Sequence, residues 1–164
     1  MKIGIVSDSH GDTARLCRAL KIFETHDVAA IVHCGDVGST DCVEALASAG
    51  PAVYLVAGNM DRRVDELASA AGKLAVRFSW EVIEVPLGDG RSLVATHGSD
   101  ERVLGELVSD HQFPYVCHGH THRARDDRYE GVRVINPGAL YHAKVHTVAV
   151  LDTETDLLEH ILVP

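Results

Sequence analysis

The sequence predicts an α/β domain in which two mixed β-sheets pack face to face and helices cover their outer faces. The first half of the chain repeats an apolar strand-like run followed by a helix-like segment, the pattern of βαβ units with a parallel sheet. The second half carries alternating strands joined by short turns, the pattern of antiparallel hairpins. With 164 residues, 46% of them hydrophobic, the chain has enough apolar surface for one core. We therefore predict a single domain over residues 1–164.

Three strands and three helices account for the first half of the chain. The predicted strands are apolar runs bounded by polar turns, at 3–6, 29–32 and 52–57. Asp12 or Thr13 is positioned to cap the first helix, and the second helix is predicted from about Ser39 or Thr40 to Ala49, where Gly50-Pro51 stops it. A third, polar helix is predicted at about 62–71, ending at Gly72.

Antiparallel strands dominate the second half. Gly88-Asp89-Gly90 and Glu130-Gly131 are turn sequences between strand-like runs, and one more helix is predicted from Glu101 to about Asp110. The predicted strands lie at 75–78, 81–85, 92–96, 114–116, 125–129, 132–135, 145–151 and 157–163.

Charge and cysteine content exclude several classes of function. The formal charge is −9, so the chain lacks the basic surface that nucleic acids or anionic membranes require. A small phosphorylated substrate remains compatible, because a bound metal ion inverts the local charge. The four cysteines have no CxxC spacing and are predicted to be reduced and mostly buried, and no apolar run has the length of a signal peptide or membrane span. We expect a cytoplasmic protein.

Residues 117–122, with three histidines in six positions, follow a short apolar run and predict a strand that ends in a ligand-rich loop. Taken alone, this stretch also fits a polar surface loop, because short histidine tracts are weak metal signals. Four other predicted strands end in the same manner, and the carboxyl ends of strands are where α/β sheets bind ligands. Together the five turns supply these side chains: Asp8, His10, Asp36, Asn59, His97, His120 and His122.

The chemistry of this set predicts the class of metal. Imidazole and oxygen ligands without thiolate suit Mn, Fe, Zn, Co or Ni rather than Ca or an iron–sulfur cluster. Seven side chains are too many for one tetrahedral ion and suit two ions that share a carboxylate. Two divalent ions, two aspartates and a bridging hydroxide give a net charge of about +1, which attracts phosphate.

The order of these motifs resembles that of the calcineurin-like metallophosphoesterases, especially their small single-domain bacterial and archaeal phosphodiesterases. The motifs are Asp8-x-His10, Gly35-Asp36, Gly58-Asn59-x-Asp61, His97-Gly98 and Gly119-His120-x-His122. The resemblance extends from Met1 to Asn136-Pro137-Gly138. It implies a four-layer αββα sandwich and hydrolysis of phosphodiesters, nucleotides among them, by a hydroxide that bridges two metal ions.

The resemblance also implies a role for each ligand. Asp8, His10, Asp36 and His122 hold the first ion, while the second is held by the shared Asp36 together with Asn59, His97 and His120. Asn59 additionally donates an amide N–H to a phosphate oxygen. We expect Mn²⁺ in both positions, with Zn²⁺, Fe²⁺, Co²⁺ and Ni²⁺ as alternatives.

Two positions depart from the pattern of the family. Met60 replaces the histidine proposed as general acid in many members, and Ser99 replaces a second histidine that follows the His97 position in many relatives. The departures place the proton donor in question while leaving the ligands intact. His142 is one alternative donor.

A non-enzymatic function is the alternative. The small metallophosphoesterase-like subunit of the retromer complex resembles this branch and functions as a protein-interaction scaffold, with some ligand positions changed. Here all seven ligand positions are intact, which favours a metal-dependent phosphodiesterase. The sequence leaves open the physiological substrate and whether the chain forms a homo-oligomer.

Overall fold

The computed structural model describes residues 1–164 as four helices and eleven strands. The helices are α1 (Thr13–Thr25), α2 (Thr40–Ala47), α3 (Val64–Lys73) and α4 (Glu101–Ser109). The first six strands are β1 (Lys2–Val6), β2 (Ala30–His33), β3 (Ala52–Val56), β4 (Arg77–Ser79), β5 (Val82–Pro86) and β6 (Ser92–Thr96). The other five are β7 (Tyr115–Cys117), β8 (Arg125–Tyr129), β9 (Val132–Asn136), β10 (Thr147–Asp152) and β11 (Leu157–Leu162).

The strands form two mixed sheets, which confirms the predicted architecture. The first sheet has the order β11-β10-β1-β2-β3-β4, in which β1 to β4 are parallel and β10 and β11 are antiparallel additions. The second sheet has the order β5-β6-β7-β9-β8, in which β6, β7 and β9 are parallel. Both sheets therefore have a parallel centre whose strand ends share one edge.

Alternation along the strands separates the core into layers. In β1, Ile3 and Ile5 pack into the cluster between the two sheets, whereas Val6 belongs to the cluster under α1, α2 and α3. Gly4 faces the same way as Val6, and a Cβ there would lie 2.8 Å from the Phe23 ring, so α1 can approach only a glycine at this position. A third apolar cluster joins the outer face of the second sheet to α4. The result is a four-layer sandwich.

The cap of α1 agrees with prediction, whereas α3 does not end where it was predicted to end. The Asp12 carboxylate accepts the Arg15 N–H at 2.9 Å, and the Ser39 hydroxyl accepts the Cys42 N–H at 3.3 Å. Helix α3 continues through Gly72 to Lys73, so the prediction that Gly72 ends the helix was wrong. Nothing lies within 4 Å of a Cβ placed at Gly72, which shows that this glycine is not required by packing.

None of the four helices combines the length and apolar character needed to cross a membrane.

All four cysteines are free thiols, and three of them, Cys34, Cys42 and Cys117, are buried. Burial raises the pKa of the Cys34 thiol, and the same cause raises that of Cys117, so both behave as small apolar core residues.

Candidate metal centre

The five predicted ligand turns meet at one edge of the sandwich. The turns after β1 and β2 are joined by the Asp8 N–H, which donates to the Gly35 carbonyl at 3.0 Å. In the second sheet, the Gly119 N–H donates to the His97 carbonyl at 3.0 Å. The sheets are then linked to each other, because the His97 Nδ1 lies 2.8 Å from the Cys34 carbonyl oxygen. All seven predicted ligands lie on this edge.

Most of these ligands have an unusual backbone conformation. Five of the seven have a positive φ, between 45° and 65°: Asp8, His10, Asp36, His120 and His122. Non-glycine residues rarely occupy this left-handed region, and such strain concentrates at functional sites. These five residues lie in the turns that follow β1, β2 and β7, where the backbone bends sharply as it leaves the strand.

Asp8 presents one free carboxylate oxygen to the centre. Its Oδ2 accepts the Ser7 hydroxyl at 2.5 Å and the His120 N–H at 3.1 Å. Its Oδ1 is buried without a hydrogen-bond partner, 3.1 Å from the His122 Nε2 and 3.8 Å from the His10 Nε2. The His10 Nε2 is likewise buried and unpartnered. Buried polar atoms are normally satisfied, so this converging pair fits a missing cation.

Asp36 lies between the two groups of histidines. Its Oδ1 accepts the Met60 N–H at 2.7 Å, while its Oδ2 lies 3.6 Å from the His10 Nε2 and 3.3 Å from the His97 Nε2. Burial opposes ionisation, but the hydrogen bonds and the neighbouring His97 hold the pKa of Asp36 below its ordinary value. A single oxygen of this carboxylate therefore faces both sides of the centre, as a shared ligand must.

His97 is oriented for ligation through its Nε2. Donation from Nδ1 to the Cys34 carbonyl fixes a tautomer in which the neutral ring has its lone pair on Nε2. That atom lies 2.9 Å from the Asn59 Oδ1, which is also an acceptor. Two acceptors at this distance require a proton or a cation between them. The ring of His120 lies next to His97, with centroids 5.2 Å apart.

Glycines allow the ligand turns to approach one another. A Cβ at Gly35 would lie 2.5 Å from the His97 Nδ1, and one at Gly58 would lie 2.1 Å from the Asp36 Oδ1. A Cβ at Gly119 would lie 1.9 Å from the Ser7 hydroxyl. These three motif glycines are thus required for close packing around the ligands.

Sequence reasoning assigned no role to two residues that position the turns. Asp61 is buried and accepts N–H groups from Gly38 and Gly58 at 2.8 Å, which ties two ligand turns together. Asn136 is buried and donates to the Gly119 carbonyl at 2.8 Å, which holds the loop that carries His120. Both were visible as polar residues next to motif glycines or strand ends, and that signal was available in the sequence.

His33 and His118 are buried beside the centre, and each is hydrogen-bonded through one ring nitrogen. The His33 Nε2 lies 2.9 Å from the Ser9 hydroxyl, and the His118 Nδ1 lies 3.1 Å from the Gly119 carbonyl. Burial lowers the pKa of His33 to about 3 and that of His118 to about 4. Both rings are therefore neutral in the folded protein at pH 7.

The arrangement contains two overlapping groups of ligand atoms that lie within 4.8 Å of one another. One consists of Asp8, His10 and His122, and the other of Asp8, Asp36 and His97. Asn59 and His120 border the second group through their contacts with His97. The residue types suit divalent cations, while the assignment of each ligand to one of two ions stays a prediction.

This αββα sandwich, with aspartates and histidines clustered at its strand ends, agrees with the fold and ligand turns that the sequence predicted for a metal-dependent phosphoesterase. The chain belongs to the calcineurin-like phosphoesterase superfamily, whose family model matches residues 1–156. A phosphodiesterase of Methanocaldococcus jannaschii is 29% identical over 157 residues, which cover 94% of each chain.

Solved structures agree with this membership. The structure of an archaeal phosphodiesterase superimposes with a TM-score of 0.89 at 28% identity and covers 99% of both chains. Vps29 of Chaetomium thermophilum shares the fold, with a TM-score of 0.69 at 16% identity over 100% of this chain and 98% of that one. The family implies divalent metal ions and phosphoester hydrolysis, and the candidate ligands fit both.

Proposed function

We propose that the protein is a dinuclear metal-dependent phosphodiesterase that hydrolyses small phosphodiesters, nucleotides among them. The proposal goes beyond membership of the family in two respects: it specifies two metal ions per chain, and it specifies phosphodiesters as the substrates. It includes Mn²⁺ as the resident ion and the cytoplasm as the location of the protein.

The arrangement of polar atoms at the edge of the sandwich carries this proposal. On one side, the buried Asp8 Oδ1 and His10 Nε2 lie 3.8 Å apart, and neither has a hydrogen-bond partner. On the other side, the Asn59 Oδ1 and His97 Nε2 are 2.9 Å apart. Asp36 lies between the two sides and faces both. One ion on each side would satisfy these groups, with Asp36 as the shared ligand.

When bound, two divalent ions lower the pKa of water to supply the nucleophile and neutralise charge on the phosphoryl oxygens. The chain itself holds the ligand atoms in fixed positions. The Ser7 hydroxyl and the His120 N–H orient Asp8, and the Met60 N–H orients Asp36. The exposed amide of Asn59 is placed to donate to a phosphate oxygen.

A scaffold function is less well supported by the same site. Similarity to Vps29 at 16% identity concerns the fold alone, and that fold is shared by both classes. A scaffold does not need five predicted ligands with positive φ packed around buried, unpartnered polar atoms. The arrangement therefore favours the enzyme.

Elemental analysis and an activity assay test the proposal together. Protein stripped with a chelator and reloaded with Mn²⁺ should contain about two ions per chain and hydrolyse bis(p-nitrophenyl) phosphate. The stripped protein should be inactive and should recover activity on reloading. Two bound ions without hydrolysis of any phosphodiester would support the scaffold, and one tight ion at saturation would contradict the dinuclear centre.

A further inference from the structure

A cleft of about 670 Å³ opens directly beside the metal centre. Its lining includes His122, Arg123, His142 and Lys144. His122 forms part of the wall of this cleft and also lies 3.1 Å from the Asp8 Oδ1 through its Nε2. The cleft and the centre therefore share a side chain, so one substrate can occupy both.

The charge of this cleft is opposite to that of the protein. The chain has a formal charge of −9, yet no Asp or Glu lines the cleft. Four other clefts of the surface each include at least one carboxylate: Glu44, Asp61, Glu81 and Glu101. The concentration of cations beside the centre is thus a local feature.

The two permanent cations of the cleft have no partner within the protein. Arg125, two residues after Arg123, is bound to Asp127 at 2.6 Å. Arg123 and Lys144 are not among the side chains that form ion pairs, and both are exposed. An arginine fork and a lysine ammonium that line the same cleft suit the oxygens of a phosphate group.

The loop that carries Lys144 is fixed with respect to the centre. The Leu140 N–H donates to the Ser7 carbonyl at 3.2 Å, and the Leu140 carbonyl accepts from Arg15 at 2.7 Å. The His142 carbonyl lies 3.4 Å from the His122 Nδ1. The anchored loop keeps the cationic wall next to the ligand His122.

We propose that this cleft is an anion subsite for a second phosphate group of the substrate. The preferred substrates are then phosphodiesters that carry another phosphate, such as a phosphorylated nucleotide ester. The preference in hydrolysis rests on the proposed phosphodiesterase function, whereas binding of the second phosphate does not depend on turnover.

A pair of substrates with the same leaving group isolates the effect of the second phosphate group on hydrolysis. The p-nitrophenyl ester of thymidine 5′-phosphate is compared with the same ester bearing an additional 3′-phosphate. We expect kcat/KM to be roughly tenfold higher for the 3′-phosphorylated ester, the size of one charge-assisted hydrogen bond. The double variant Arg123→Gln/Lys144→Gln should reduce this ratio to about one and leave the simpler ester nearly unaffected.

The matched control changes an exposed cation elsewhere. Lys21→Gln, in the second half of α1, removes a charge away from the cleft and should preserve the tenfold ratio. A ratio near one in the wild type, or a ratio that Lys21→Gln lowers equally, would overturn the subsite.

Calorimetry separates this inference from the proposed function. Thymidine 3′,5′-bisphosphate should bind the Mn²⁺-loaded wild type more tightly than thymidine 5′-phosphate, and the double variant should lose the difference. If neither ester is hydrolysed but this difference in affinity is found, the subsite stands and the phosphodiesterase proposal fails. Equal affinities of the wild type for the two nucleotides would refute the subsite even if both esters are hydrolysed.

Discussion

The two ends of the candidate metal centre differ in the charge around them and in the burial of His97 compared with His10 and His122. At one end, the His97 side chain is 4% exposed while Asn59 and His120 are exposed, and the adjacent cleft of about 200 Å³ is lined by Trp80, Glu81 and Asp100. At the other end, the side chains of His10 and His122 are 19% and 24% exposed. The larger cleft with its unpaired cations lies at this more open end.

The difference separates two tasks within one site. A buried side chain loses little freedom on binding and interacts in a medium of low dielectric constant, so His97 is suited to hold a metal ion tightly. The open end admits water and substrate and is lined by cations that attract phosphate. Similar ligand types therefore include a buried histidine at one end and histidines that solvent and substrate can reach at the other. Each of the following predictions tests this division, starting with the largest effect.

The first prediction concerns Asp36, which faces both ends. Asp36→Asn should lower kcat by at least about a hundredfold at saturating Mn²⁺, because loss of groups that merely support ligands already costs 10–100-fold. The fold should persist, since the asparagine Oδ1 can still accept the Met60 N–H. Steady-state kinetics and thermal melting of the metal-free protein measure the two effects.

Asp27→Asn is a matched control for this substitution. Asp27 is exposed and has the same φ of 53° as Asp36. The two variants therefore make the same chemical change at the same φ, and they differ in their distance from the candidate ligands. It should retain wild-type turnover. Near wild-type activity of Asp36→Asn would show that this carboxylate is not the shared ligand.

The second prediction distinguishes the ends by metal affinity. Titration of the metal-free protein with Mn²⁺ should show two binding steps, the tighter one at the end that contains the buried His97. His122→Gln should remove the weaker step, and His97→Gln should remove the tighter one. Calorimetry measures both. Two equal steps, or loss of the same step in both variants, would mean that the ends do not differ as ligand sites.

The layers of this fold could be predicted from the sequence, because apolar runs and alternating residues mark the strands and helical spacing of apolar residues marks the helices. The convergence of the seven predicted ligands at one edge could be predicted because each follows a strand, and strand ends meet at the same edge of a sheet. What the sequence could not specify is the set of contacts between turns. Asp61 and Asn136 act on loops distant in the chain, and the cationic cleft forms only when Arg123 and Lys144 are brought together by folding.

The third prediction concerns packing around His97. Gly35→Ala should destabilise the metal-free protein by about 2–4 kcal/mol, since a Cβ would contact the His97 ring at 2.5 Å and the backbone has a φ of 93°. Chemical denaturation measures the free energy of unfolding. In contrast, Gly72→Ala lies in α3 with open space around it and should stabilise the protein by about 0.5–1 kcal/mol. Equal effects of both variants would contradict the tight packing around His97.

The smallest effect is expected at Met60, which borders the shared carboxylate. Its N–H donates to the Asp36 Oδ1 at 2.7 Å, and its side chain is 48% exposed. A thioether cannot donate a proton, whereas a general acid typically accelerates such reactions by about 10² to 10⁴. We therefore expect kcat/KM to depend steeply on the leaving-group pKa, with nitrophenyl esters cleaved well and alkyl esters slowly.

Met60→His should narrow that gap by about tenfold, less than a fully placed general acid provides, because an exposed side chain is not held against the leaving oxygen. The measurement is kcat/KM for a series of phosphodiesters of graded leaving-group pKa, for the wild type and the variant. Met60→Gln is the control, since it is polar and of similar length but cannot act as a general acid. A shallow slope in the wild type would show that another residue, such as His142 at the open end, already supplies the proton. The role assigned to position 60 would then be wrong, and the open end would contribute to the chemical step as well as to access.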